Sequence, residues 1–141
     1  TRWVVLEPDS RSHCQFLENL PISIPMPIAH AEGRFTHENA SEFAKLAAEG
    51  FVALKYAGCD EDGIGNGNPN GSMLATAAMT NSAGNVLAMM PHPERASWLF
   101  QVPEDLNHPW AELRRESAGD FKSLYGPGPG MAIVSRLVEL C

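Results

Sequence analysis

A chain of 141 residues with 44% hydrophobic composition is long enough to bury a core and fits one globular domain rather than a disordered segment. Its net charge of −7, from 17 acidic residues against 10 basic ones, excludes a nucleic-acid groove, because phosphate binding needs clustered lysine and arginine. No stretch approaches the roughly 20 uninterrupted apolar residues of a membrane span, and the N-terminus lacks a basic-then-apolar signal pattern, so the expectation is a soluble cytoplasmic protein without membrane contact.

Residues 2–7 are apolar and partly β-branched, predicting a strand that ends before Pro8 and a turn at Pro8-Asp9-Ser10. Thr1, standing where a start methionine would, suggests a piece of a longer polypeptide. Residues 22–30 read as an irregular strand entering a loop, pushed to a sheet edge because Pro25 and Pro27 cannot donate to a ladder. Asn39 is placed to cap a helix over residues 40–49, with Phe43, Leu46 and Ala47 on one face and Gly50 closing it. A strand follows over 51–56, then a long acidic, Gly- and Asn-rich loop over 58–71. Residues 73–80 and 85–90 bracket Asn81-Ser-Ala-Gly84 as a hairpin. Residues 97–122 leave helix and loop open, with a short helix expected around 110–117. The run 125–130 is a breaker, and 131–140 is an amphipathic helix with Ile133, Val134, Leu137 and Val138 inward.

The most informative feature is Asn85-Val-Leu-Ala-Met-Met-Pro-His-Pro-Glu-Arg-Ala96, an apolar run that stops at a histidine and a glutamate held between prolines. In an extended segment His92 and Glu94 point to the same side, and Pro91 and Pro93 stiffen the frame. A carboxylate beside an imidazole holds one tautomer and stabilises the imidazolium, as in a nucleophile–His–acid triad. The competing reading is a surface turn with a satisfied histidine. A second candidate is His30-Ala-Glu-Gly-Arg-Phe35, where Gly33 lets the backbone approach a ligand; on chemistry alone, a strand-to-turn corner is the better account. His30/Glu32 and His92/Glu94 together would offer a metal four ligands, but no helix-spaced ligand motif supports a metal site.

Cys14, Cys59 and Cys141 form neither a disulfide framework nor a zinc ribbon, and a reducing compartment fits them best. Cys59 precedes Asp60-Glu61-Asp62, whose charge raises a thiol pKa. Cys14 lacks the glycine-flanked elbow of a nucleophile, and Cys141 is the last residue beside a carboxylate. All three read as structural or incidental. The glycines at 63, 65, 67 and 71 make neither a dinucleotide nor a Walker pattern, so the chain itself is expected to bind no ATP. The Gly–Pro alternation of 126–130 reads as a hinge.

Taken together, residues 27–35, Asn68-Pro-Asn-Gly-Ser72 and residues 85–96, in that order, resemble the glutamine amidotransferase part of phosphoribosylformylglycinamidine synthase. The resemblance runs from about Arg2 to the terminal helix and covers only the C-terminal half of that family's glutaminase domain, so residues 1–141 are expected to be the C-terminal portion of one domain. It implies a flavodoxin-like α/β fold of the class I, triad type, in which a cysteine attacks the side-chain amide of L-glutamine and releases ammonia. By matching positions it makes His92 the general base and acid and Glu94 the residue that orients it. It puts His30, Ala31, Glu32 and Gly33 along the glutamine side of the pocket, although Ala31 stands where the family usually has glycine. It also implies a synthetase subunit or domain that uses ATP and Mg on formylglycinamide ribonucleotide, and a small bridging subunit as a further partner. The family's cysteine elbow belongs upstream of Thr1, so this chain alone is expected to be inactive. The rival expectation is a non-catalytic module that keeps the fold and docks on the synthetase.

Overall fold

The computed structural model describes residues 2–29, 33–60, 63, 65 and 67–140. Among these residues five strands form one sheet: β1 (Arg2–Pro8), β2 (Ile24–Ile28), β3 (Val52–Tyr56), β4 (Thr76–Thr80) and β5 (Leu87–Met89), in the spatial order β2-β1-β3-β4-β5 with antiparallel pairings. Among the described residues, four α-helices complete an α/β arrangement: α1 (Ala40–Ala48), α2 (Pro109–Glu116), α3 (Phe121–Leu124) and α4 (Met131–Glu139).

The expected elements are present, with shifted boundaries. β1 does not stop before Pro8: Pro8 is its last rung, opposite Leu54, and the ladder continues when the Asp9 amide donates to the Ala53 carbonyl at 3.1 Å. A proline is tolerated at a strand end because only one donor is lost there. β2 is an edge strand as its prolines require, yet all five of its residues are buried. The α1 cap is as read: Asn39 Oδ1 accepts from the Ser41 and Glu42 amides, and Gly50 at φ +85° closes the helix. In the hairpin the first arm begins at Thr76, because residues 73–75 form a 3-10 turn. Asn81 Oδ1 fastens the hairpin turn by accepting from the Asn85 and Val86 amides at 3.0 and 3.2 Å. In α2, Pro109 occupies the first turn and His108 caps it, Nδ1 accepting from the Trp110 amide at 3.3 Å.

The core gathers Val4, Leu6, Ile24, Met26, Leu54 and Tyr56 from the sheet with Ala96 and Ile133 from beyond it. α4 corrects one expectation. Ile133 is buried and Val134 half-buried, but Leu137 and Val138 are exposed. The cause is Arg136, which takes the next inward position. Its Nε donates to the Gln15 carbonyl at 3.2 Å and its guanidinium pairs with Glu18 and Glu139, so the helix is turned to seat a charged head over a short stretch of core.

Candidate functional site

The sheet curls until its two edges meet. After β5 the Met90 amide still donates to Ala77 at 3.0 Å. Two residues later the His92 amide donates to the carbonyl of Pro27 in β2 at 2.9 Å. The outer side of β2 is the side its prolines leave without donors, so a carbonyl is free there to take His92. The histidine thus stands on the seam between the first and last strands of the sheet.

His92 and Glu94 are brought together, but not by an extended segment. Pro93 opens a 3-10 turn, Pro93–Arg95, closed by the Arg95 amide on the His92 carbonyl at 3.1 Å and the Ala96 amide on the Pro93 carbonyl at 3.0 Å. A proline at the first turn position loses no needed donor, and its fixed φ favours the turn. The turn swings the Glu94 carboxylate back so that Oε1 lies 2.8 Å from His92 Nδ1. Partial burial works against the charge on Glu94, but its own amide, the His92 hydrogen bond and charge, and Arg95 together hold the carboxyl below the usual carboxylate range. A charged Glu94 keeps the proton on Nδ1, leaving the Nε2 lone pair as a base. Among the described residues Nε2 has no hydrogen-bond partner, and the ring is about a third exposed.

The second candidate is described only in part. His30, Ala31 and Glu32 lie outside the described residues. Gly33 is described, and the third sequence motif packs on it: Asn70 Nδ2 donates to the Gly33 carbonyl at 2.6 Å, the Phe35 amide donates to Ser72 Oγ at 3.1 Å, and the Met73 amide donates to the Phe35 carbonyl at 3.0 Å. Asn68 stiffens this clasp, donating to the Gly63 and Ser72 carbonyls and accepting from the Ser72 amide. Residues 33–35 and 68–72, 33 residues or more apart in sequence, are therefore one unit. β2 carries the chain from the His92 contact at Pro27 toward it.

Sequence reasoning missed the role of residues 126–130. They are not a free hinge: they run against the back of the His92 turn, with an antiparallel bridge between Pro127 and Trp98. The available signal was the strict alternation of glycine and proline, which leaves donors on one edge of an extended segment only.

The cysteines sit elsewhere. Cys14 is buried in the core with Phe16 and Leu17. The Cys59 thiol is pushed up, first by burial and then by Asp60 and Glu7, against the backbone amides of Gly67 and Asn68 that lower it. The direction is the expected one, and burial outranks the acidic neighbours as its cause. Cys141 lies outside the described residues. Among the described residues no three His, Cys, Asp or Glu side chains converge as metal ligands, and no helix is long and apolar enough to cross a membrane. Two cavities of about 570 and 370 Å³ adjoin at Pro8 and Asp9. Neither is lined by His92, Glu94 or Gly33, and the charge in the larger one is internally answered, Asp9 pairing with Arg11 at 2.9 Å and Lys55 at 3.3 Å.

The chain is 46% identical over 84 residues to phosphoribosylformylglycinamidine synthase subunit PurQ of Pyrococcus horikoshii, covering 58% of this chain and 34% of that protein. It is 39% identical over 107 residues to the PurQ subunit of Pyrococcus furiosus, covering 74% and 44% respectively. The chain thus spans between about a third and a half of the length of these relatives. In fold it resembles the structure of PurLQS from Thermotoga maritima, with a TM-score of 0.55 over 99% of this chain and 46% of that one at 22% identity. Residues 1–122 match the CobB/CobQ-like glutamine amidotransferase domain, and the chain belongs to that family.

Proposed function

We propose that this chain supplies the histidine and glutamate of a Cys-His-Glu glutaminase within a phosphoribosylformylglycinamidine synthase. What supports the reading is the 2.8 Å contact that commits His92 Nδ1 to Glu94 and leaves Nε2 open, in a chain of this family. His92 Nε2 takes the proton of a cysteine thiol as its sulfur attacks the side-chain amide carbon of glutamine. The same proton then passes to the departing nitrogen, giving ammonia and a thioester. Water, deprotonated by His92, hydrolyses the thioester to glutamate and restores the thiol. Glu94 orients the ring and stabilises the imidazolium present between these transfers. His30, Ala31, Glu32 and Gly33 serve glutamine binding in this reading, and of these Gly33 is held by Asn70.

The attacking cysteine comes from polypeptide N-terminal to Thr1, and residues 1–141 by themselves do not hydrolyse glutamine. The chain is the C-terminal portion of a single amidotransferase domain in the cytoplasm. The glutaminase steps written above draw on no metal or cofactor. ATP and Mg serve the synthetase partner, which consumes the ammonia in converting formylglycinamide ribonucleotide to its amidine, with a small bridging subunit in the assembly. A thiol-reactive glutamine analogue applied to the complete gene product is expected to label one cysteine upstream of Thr1 and to block glutamine-dependent synthesis. If no cysteine is labelled and glutamine is not used, the chain is instead a non-catalytic module.

A further inference from the structure

The His92 turn has a backing of its own. The Gly128 amide donates to the Ser97 carbonyl and the Gly130 amide to the Ala96 carbonyl, both at 2.7 Å, while the Gly126 carbonyl accepts from the Leu99 amide at 3.1 Å. Between them, Pro127 and Pro129 have no amide to offer, and Pro129 is fully buried, where a donor facing away from this ladder would be orphaned. Gly130 adopts φ −68° and ψ −25°, a conformation open to any residue. Contact, not backbone freedom, demands the glycine: a Cβ there would stand 2.1 Å from the Pro93 carbonyl oxygen, and one on Gly128 would stand 2.5 Å from the Ala96 carbonyl oxygen. Pro93 lies between His92 and Glu94, and its carbonyl also accepts from Ser97 Oγ at 2.9 Å. Directly after Gly130, α4 begins and Ile133 enters the core beside Ala96.

We propose that Gly128, Gly130 and Ser97 are positioning residues that set the angle of the His92–Glu94 couple, a role that rests on the glutaminase reading above. Gly128 and Gly130 lie beyond residues 1–122, the range that matches the amidotransferase family. Any side chain at position 130 pushes the Pro93 carbonyl outward by about an ångström, and displacements of that size cost up to about a hundredfold in rate where reacting groups must align.

The test uses the complete enzyme with its synthetase. Gly130→Ala is expected to lower kcat with glutamine about 30- to 100-fold, to change KM for glutamine less than about twofold, and to leave synthesis from added ammonia intact. The ¹⁵N shifts of the His92 ring are expected to lose the Nδ1-protonated signature. Should Gly130→Ala fail to fold or to assemble, Ser97→Ala decides, since it removes only the hydroxyl on the Pro93 carbonyl; a loss of about 3- to 10-fold in kcat at constant KM is expected. Unchanged kcat and ring shifts in the variants that fold, or equal losses with glutamine and with ammonia, would overturn the proposal. His92→Ala run in parallel separates the two levels. If it leaves glutamine use intact, the glutaminase reading itself fails. If it abolishes glutamine use while the backing variants match the parent, only the positioning role fails.

Discussion

Removing Glu94 should hurt far less than removing His92, and the structure says by how much. The couple is short, 2.8 Å, but the Glu94 side chain is 63% exposed. Two unit charges about 4 Å apart interact by about 1 kcal/mol in water and about 4 kcal/mol near a protein surface, so a carboxylate this wet contributes about 2 kcal/mol to the imidazolium, roughly 30-fold in rate. Loss of the base itself costs about a thousandfold or more. In the complete enzyme, Glu94→Ala is therefore expected to lower glutamine-dependent kcat about 10- to 50-fold, with Glu94→Gln milder because its amide oxygen still accepts from Nδ1. His92→Ala is expected to abolish glutamine use, and all three are expected to retain synthesis from added ammonia. The pH dependence carries a sign. The Glu94 carboxyl is held below the usual carboxylate range, so its charge is complete at neutral pH. The ratio of parent to Glu94→Ala should then stay constant above neutrality and narrow only as acid protonates the carboxylate. Steady-state rates with glutamine and with ammonia across pH measure both quantities. Glu94→Ala as damaging as His92→Ala, or His92→Ala with normal glutamine use, would refute the reasoning.

Three further outcomes test the frame. Asp9, only 5% exposed at its side chain, is held down to about 2 from its ordinary 3.8, since its bonds to Arg11 and the charge of Lys55 outweigh the opposing effect of burial. A carboxyl lowered on folding stabilises above its unfolded pKa and loses that contribution as pH falls through its folded pKa, here between about pH 5 and 1. The full shift corresponds to roughly 2.5 kcal/mol, and screening at the half-exposed Arg11 reduces it to about 1 kcal/mol, the deficit expected for Asp9→Asn at pH 7 in denaturant titrations and mostly lost by about pH 2. Asn70→Ala frees the Gly33 carbonyl and is expected to raise KM for glutamine several-fold with a smaller effect on kcat, read in the same rate assay. Ile133→Ala is expected to cost about 2 to 4 kcal/mol of stability against less than about 1 kcal/mol for Leu137→Ala, because Ile133 is 1% exposed and Leu137 40%.

What could be read without coordinates was what neighbouring residues decide among themselves. Asn39 declared the start of α1 because a cap needs only the next three amides, and Pro25 with Pro27 declared an edge because a missing donor is a property of the residue. The partnership of His92 with Glu94 was visible, yet its geometry was misjudged: alternation in an extended chain and a 3-10 turn both bring the two side chains together, and only the turn hydrogen bonds at Arg95 and Ala96 distinguish them. The inward face of α4 was not legible, since the apolar pattern favours Leu137 and Val138 while the decision belongs to Glu18 and the Gln15 carbonyl, more than 100 residues away. Nor was the backing at 126–130, whose partners Ala96 and Ser97 are some 30 residues upstream.

Prolines mark every piece of backbone that meets at His92, and their common chemistry explains why. Pro25 and Pro27 face the outer edge of β2, Pro91 and Pro93 flank the histidine, and Pro127 and Pro129 alternate through the backing segment: six of the chain's 11 prolines converge on one seam. A seam between two sheet edges is a poor place for amide donors, because each edge presents a row of them and the curled sheet lets only a few find carbonyls. Proline removes those that would be left over. The donors that remain, on His92, Gly128 and Gly130, each have a carbonyl at 2.7 to 2.9 Å. The same substitutions lock φ at six positions, so little backbone freedom is left for the turn to lose when a substrate arrives. An imidazole–carboxylate couple needs that stillness most where its carboxylate is too exposed to hold the imidazole by charge alone. Replacing Pro91 by alanine tests the balance: it restores a donor and a free φ beside His92 without touching either functional group. The expected result is a several-fold fall in glutamine-dependent kcat at nearly constant stability, and a kcat equal to the parent's would show that the charge pair holds the ring without its rigid frame.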